Sequence, residues 1–100
     1  MKVRNLLPIG SIVLLKDSKK RLMIYGMFQH EVENDTIYDY IGVPYPEGFV
    51  DVTKSFLFNE DIIEDVLYIG YIDSEFQIFK NQLEEIFGQN EIDFSKVSNL

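Results

Sequence analysis

The sequence predicts an α+β fold: a small, mostly antiparallel, five-stranded and partly open β-barrel of SH3-like size, with one short helical turn and a C-terminal amphipathic helix. Three observations predict it. Short runs rich in β-branched and aromatic residues recur with polar turn clusters between them. The second of these runs is apolar on both faces, as a strand covered on two sides would be. Sustained helical spacing appears after residue 74. One hundred residues allow one domain with a modest core, expected over 1–88 with a C-terminal tail over 89–100.

The first run, IGSIVLLK over 9–16, ends in the polar cluster KDSKK and reads as strand then turn. From Arg21 to Gln29 or a little beyond, Leu22, Ile24, Gly26 and Phe28 alternate with Met23, Tyr25, Met27 and Gln29. Gly26 inside this strand predicts a bend or bulge. HEVENDT supplies the next turn, with Asn34 and Asp35 as its φ-tolerant residues. A third strand over 37–43 sets Ile37, Asp39, Ile41 and Val43 against Tyr38, Tyr40 and Gly42. Pro44 and Pro46 end it, and Tyr45-Pro46-Glu47-Gly48 fits a type I turn.

Residues 49–58 supply a fourth strand, broken or bulged around 51–54. Asn59 has the chemistry of an N-cap, with Glu60 and Asp61 in a first turn, so 60–65 is one short helical turn or two. VLYIGYI over 66–72 is the most strand-like run of all. Ser74 and Gln77 form a capping box before Phe76, Phe79, Leu83, Ile86 and Phe87, with Gly88 as the C′ residue, which gives a helix of about 13 residues. Residues 89–100 carry no strong pattern.

Composition excludes several classes. There is no cysteine, hence no disulfide, thiol nucleophile, zinc ribbon or iron–sulfur site. No run of about 18 apolar residues occurs, and Pro8, Gly10 and Lys16 interrupt the N-terminal apolar stretch, so a soluble, cytoplasmic protein is expected. The net charge of −8 divides into +5 over residues 1–30 and −13 over 31–100. The basic cluster Lys16, Lys19, Lys20 and Arg21 is a solvated hairpin loop before it is a phosphate-binding face. The acidic remainder repels nucleic acid and favours a basic protein partner.

No catalytic signature emerges. His30 stands among Gln29, Glu31 and Glu33 without a paired nucleophile motif and reads as a surface residue. The acids of NEDIIED lack the alternation and central glycine of a calcium loop and read as a solvated face. The six glycines form no phosphate-cradling motif, and no cofactor or metal is expected. Tyr38 and Tyr40 share a strand face and have two readings: an aromatic groove for proline-rich peptides, or packing beneath the terminal helix, which is preferred. The candidate partner contacts are Tyr45 and Phe49, which flank the proline turn, and with them Tyr40.

LLPIGSIVLLK at 6–16, KRLMIYG at 20–26, YDYIGVPYPEGF at 38–49 and FLFNEDIIEDVLYIGY at 56–71 together resemble a small bacterial domain family of unknown function, number 4176 in that series. The resemblance covers about 5–87; at Met27 the chain departs from it, since the family often carries a basic residue there. It implies a single-domain protein of Gram-positive bacteria encoded among type VII secretion loci, near LXG-type toxins. The implied role is non-enzymatic: an adaptor or chaperone that binds a neighbouring-gene toxin before export. An immunity protein whose acidic surface covers a basic toxin site is the alternative. A third reading is an enzyme or ligand-binding domain using a barrel mouth near His30, Tyr38, Tyr40 and the acids around residue 60.

Overall fold

A computed structural model gives the fold of the protein and describes residues 6–87, with the backbone only for the last two. Five strands, β1 (Ile12–Leu15), β2 (Leu22–Glu31), β3 (Thr36–Pro44), β4 (Phe56–Phe58) and β5 (Ile63–Tyr68), precede one helix, α1 (Ser74–Phe87). All neighbouring pairs are antiparallel and the order is β4-β3-β2-β1-β5. The α+β class and the five strands stand, but the sheet is open and not a barrel: β4 and β5 form its two edges.

The apolar character of both faces of β2 has a different cause from closure. Register slips by one residue between Ile24 and Gly26, which leaves Tyr25 as the extra residue of a bulge. Before the bulge Leu22 and Ile24 face the core, and after it Met27 does, so opposite sequence parities serve one face. Phe28, at φ +54, breaks the alternation again and is also buried in the core. The bulge predicted at Gly26 is therefore real. A Cβ on Gly26 would stand 2.7 Å from Ile41 Cγ2, closer than packing permits.

Leu6, Val13, Leu22, Ile24, Tyr40 and Phe58 make the centre of the core with Phe28, and α1 closes it through the fully buried Leu83, with Phe79 packed beside it. Ile78, off the predicted stripe, is exposed. The side chains of Ile86 and Phe87, the cap position Gly88 and the tail over 89–100 lie outside the described residues.

Several boundaries differ from the sequence-based expectation. The helix cap is Asp73, whose carboxylate accepts the Phe76 N–H at 2.9 Å while Ser74 is already helical. Between Phe49 and Phe58 only the last three residues are strand, and a three-residue 3-10 turn occupies Val52–Lys54. The turn after Asn59 is a single 3-10 turn, Glu60–Ile62. The proline corner is not a four-residue type I turn: Tyr45–Pro46 is cis, and the Gly48 N–H reaches back to the Pro44 carbonyl at 2.7 Å. The other turns fit expectation, with Asp17 (φ +61) and Asp35 (φ +51) supplying the left-handed residues.

Candidate functional site

The sheet has a second face. Val13 and Leu22 are cross-strand partners inside the core cluster, so their neighbours Ile12 and Met23, also partners, point to the other side. Continuing outward, Tyr68 pairs with Ile12 and Val43 with Met23, which makes one apolar row across four strands. Beside it lies a shallow depression of about 430 Å³, bounded by Arg21, Tyr45, Leu67 and Tyr68. The Arg21 guanidinium stands 5.7 Å from the Tyr45 ring centroid, a cation–π contact that orients both. Tyr45 N–H also donates to the Arg21 carbonyl at 2.9 Å, so the ring is held from its backbone.

Phe49 is exposed and meets Tyr25 edge-on at 6.3 Å between ring centroids. Its corner is tied to the β1–β2 turn by an ion pair between Lys20 and Glu47, with Nζ–O distances of 2.7 and 3.0 Å. Hydrogen bonding from Lys20 holds the Glu47 carboxyl below the usual carboxylate range. Tyr45 and Phe49 are thus both available for contact. Tyr40 is not: its ring is fully buried against Phe58, 5.7 Å between centroids, and its hydroxyl accepts the Leu7 N–H at 3.1 Å. Burial pushes its hydroxyl up to about 12.

The acids around residue 60 form a structural corner. Asp39 Oδ2 accepts the Glu60 N–H at 2.8 Å, and Asn59 Oδ1 accepts the Asp39 N–H at 3.0 Å. Burial and the adjacent Asp39 charge raise the Glu60 pKa. No group of acids and histidines among the described residues is arranged to hold a metal ion. His30 Nε2 lies 2.7 Å from Asp35 Oδ1 across its own hairpin turn.

The longest exposed apolar run among the described residues is the one that reads in sequence as a strong strand. From 66 to 72, Val66, Leu67, Tyr68, Ile69, Tyr71 and Ile72 are each 46–78% exposed, and the remaining residue is Gly70. Ordinary sequence signals do not show this, because a buried strand and an exposed edge strand share the same composition. The one hint was the lack of polar alternation so close to Glu64 and Asp65. The run is anchored by Ser11, fully buried, whose hydroxyl donates to the Pro8 carbonyl at 2.8 Å and accepts the Gly70 N–H at 3.0 Å. Any side chain at Gly70 would meet the Ile9 carbonyl oxygen at 2.2 Å.

Fold and surface define a small α+β domain with an open antiparallel sheet, apolar at one edge and aromatic at the adjoining corner. The chain belongs to the family described as Domain of unknown function (DUF4176), whose model matches residues 6–79. No curated protein and no solved structure matches it. No helix among the described residues is long and apolar enough to cross a membrane.

Proposed function

We propose that the protein is a non-enzymatic, protein-binding accessory factor, an adaptor or chaperone for an LXG-type toxin exported by a type VII secretion system. The observation that carries the protein-binding part is the exposed apolar run over 66–72, since contiguous apolar surface on a soluble domain is characteristic of interaction sites. Tyr45 and Arg21 beside it are residue types enriched where binding energy concentrates. The toxin as partner comes from the family resemblance of the four motifs.

Co-expression with a tagged LXG toxin encoded beside it tests the proposal. A complex that survives gel filtration supports it; separate elution of the two chains overturns it.

Immunity is the second reading, favoured by the acidic corner at Asp39, Glu60 and Asp61, which lines a depression of about 440 Å³ suited to a basic toxin surface. Protection of a sensitive cell in trans separates it from the adaptor role. The ligand-binding or enzymatic reading is the third: the sheet that would carry it is open, and the depression at Asp39, Asn59, Glu60 and Asp61 is where a small ligand would sit.

A further inference from the structure

β5 is an edge strand whose second half is apolar and exposed. It pairs with β1, and among the described residues no strand lies along its other side. Natural proteins blunt such edges with lysine, proline, bulges or very short strands, because a row of unpaired backbone groups is a template for another chain. The opposite edge follows that rule, since β4 has only three residues. β5 has six residues, contains neither lysine nor proline, and continues as exposed apolar chain through Ile72; its register against β1 slips at Leu67 and at Glu64, and its charged residues, Glu64 and Asp65, lie in its first half.

The charges around the run identify what fits it. Between Lys54 and Lys80 the sequence contains no basic residue, while Glu60, Asp61, Glu64, Asp65, Asp73 and Glu75 flank the run on both sides. Among the described residues, Lys16, whose N–H donates to the Ile62 carbonyl at 2.8 Å, stands near its start, and Arg21 borders the depression beside Tyr68. A second copy of this chain would bring two acidic edges of a −8 protein together, with Asp65 carried toward the apolar centre of the other strand. An anionic membrane would meet the same repulsion. A segment with apolar residues at alternate positions and lysine or arginine at its ends meets neither obstacle.

We propose that β5 captures its partner by strand addition: an extended segment, apolar at every second residue and basic at its ends, pairs antiparallel or parallel with the free edge of β5 as a sixth strand. Main-chain hydrogen bonds then supply affinity, and alternate side chains supply selectivity. The side chains on one face lie beside Tyr68 and approach the Arg21–Tyr45 depression; the flanking acids take the basic ends. This rests on the protein-binding reading above and specifies its mode.

The test uses the full chain and three synthetic peptides: KKVTVTVTVKK, the same core flanked by glutamates, and the basic peptide with its central threonine replaced by proline. Binding is followed by fluorescence anisotropy at two salt concentrations, and amide hydrogen exchange is read along 63–72 with and without peptide. The expected result is binding of the basic peptide at least tenfold tighter than the other two, weakened by salt, with slowed exchange in β5. Leu67→Lys, on an exposed position and checked by circular dichroism for an unchanged fold, should weaken binding at least tenfold.

Equal binding of the basic and acidic peptides, protection confined to another segment, or full binding by the Lys variant overturns the proposal. So does a free chain in which the β5 amides not bonded to β1 are already protected, whether in a monomer or a dimer, or binding to phosphatidylcholine vesicles with no peptide binding. A toxin complex that forms while the β5 amides stay unprotected sinks strand addition and leaves the accessory role standing. Absence of any toxin complex sinks the accessory role, while the peptide arm still decides the chemistry of the edge.

Discussion

Asp39 on β3 and Asn59 just after β4 are joined by one bond and a neighbour: Asn59 Oδ1 accepts the Asp39 N–H, and the Asp39 carboxylate accepts the N–H of the next residue, Glu60. Asn59 looks in sequence like the cap of its own turn, yet its side chain makes no cap bond there. The cap comes from β3. A 3-10 turn too short to hold itself is thereby fixed to the strand that neighbours β4.

Replacing either partner leaves a partly buried N–H unmatched. Asp39→Ala and Asn59→Ala should each cost about 1–2 kcal/mol in urea unfolding, and the double variant should cost less than the two added together. Strict additivity would show that the two bonds act independently.

The pH dependence of the same corner has a definite sign. Burial and the Asp39 charge raise the folded-state pKa of Glu60, so the folded protein holds this proton more tightly than the unfolded chain does. The ionised residue therefore opposes folding at neutral pH, and this penalty fades as pH falls through the raised folded value toward the ordinary carboxylate range. Glu60→Gln should raise the melting temperature at pH 7 by roughly 2 °C, with the gain closing near pH 4. A gain of equal size at both pH values would exclude a charge effect.

The sequence made β2, β3 and the helix readable because their signals are local: alternation, turn residues at Asn34 and Asp35, and apolar spacing through Phe76, Phe79 and Leu83. Gly26 even marked the bulge. The open sheet is not legible in the same way, because that bulge places residues of both parities on one face, and a pattern alone does not distinguish this from a strand covered on two sides. The exposed run over 66–72 was hidden for a related reason. Edge position depends on strand order, which the composition of VLYIGYI does not contain.

Ser11 and Gly70 hold the end of β5 against the turn at Pro8–Gly10. Gly70→Ala should cost about 1–3 kcal/mol, since its methyl group would overlap the Ile9 carbonyl. Ser11→Ala should cost a similar amount by stranding the Gly70 N–H. Thermal melts check both, and a wild-type melting temperature for Gly70→Ala would mean that this backbone contact is not made in solution.

Tyr45 and Phe49 are exposed, and their removal should spare the core. A Tyr45→Ala, Phe49→Ala double variant should unfold within about 0.5 kcal/mol of wild type while losing affinity for the partner. Unchanged capture of the toxin would restrict the interface to β5.

The most direct measurement of the proposed accessory role is the amount of the proposed partner, an LXG-type toxin, in culture supernatant after deletion of this gene, with viability followed in parallel. The accessory role predicts that export is lost, that growth is unimpaired, and that the wild-type gene restores export in trans. Normal toxin export from the deletion strain, or toxin-dependent death of that strain, would contradict it.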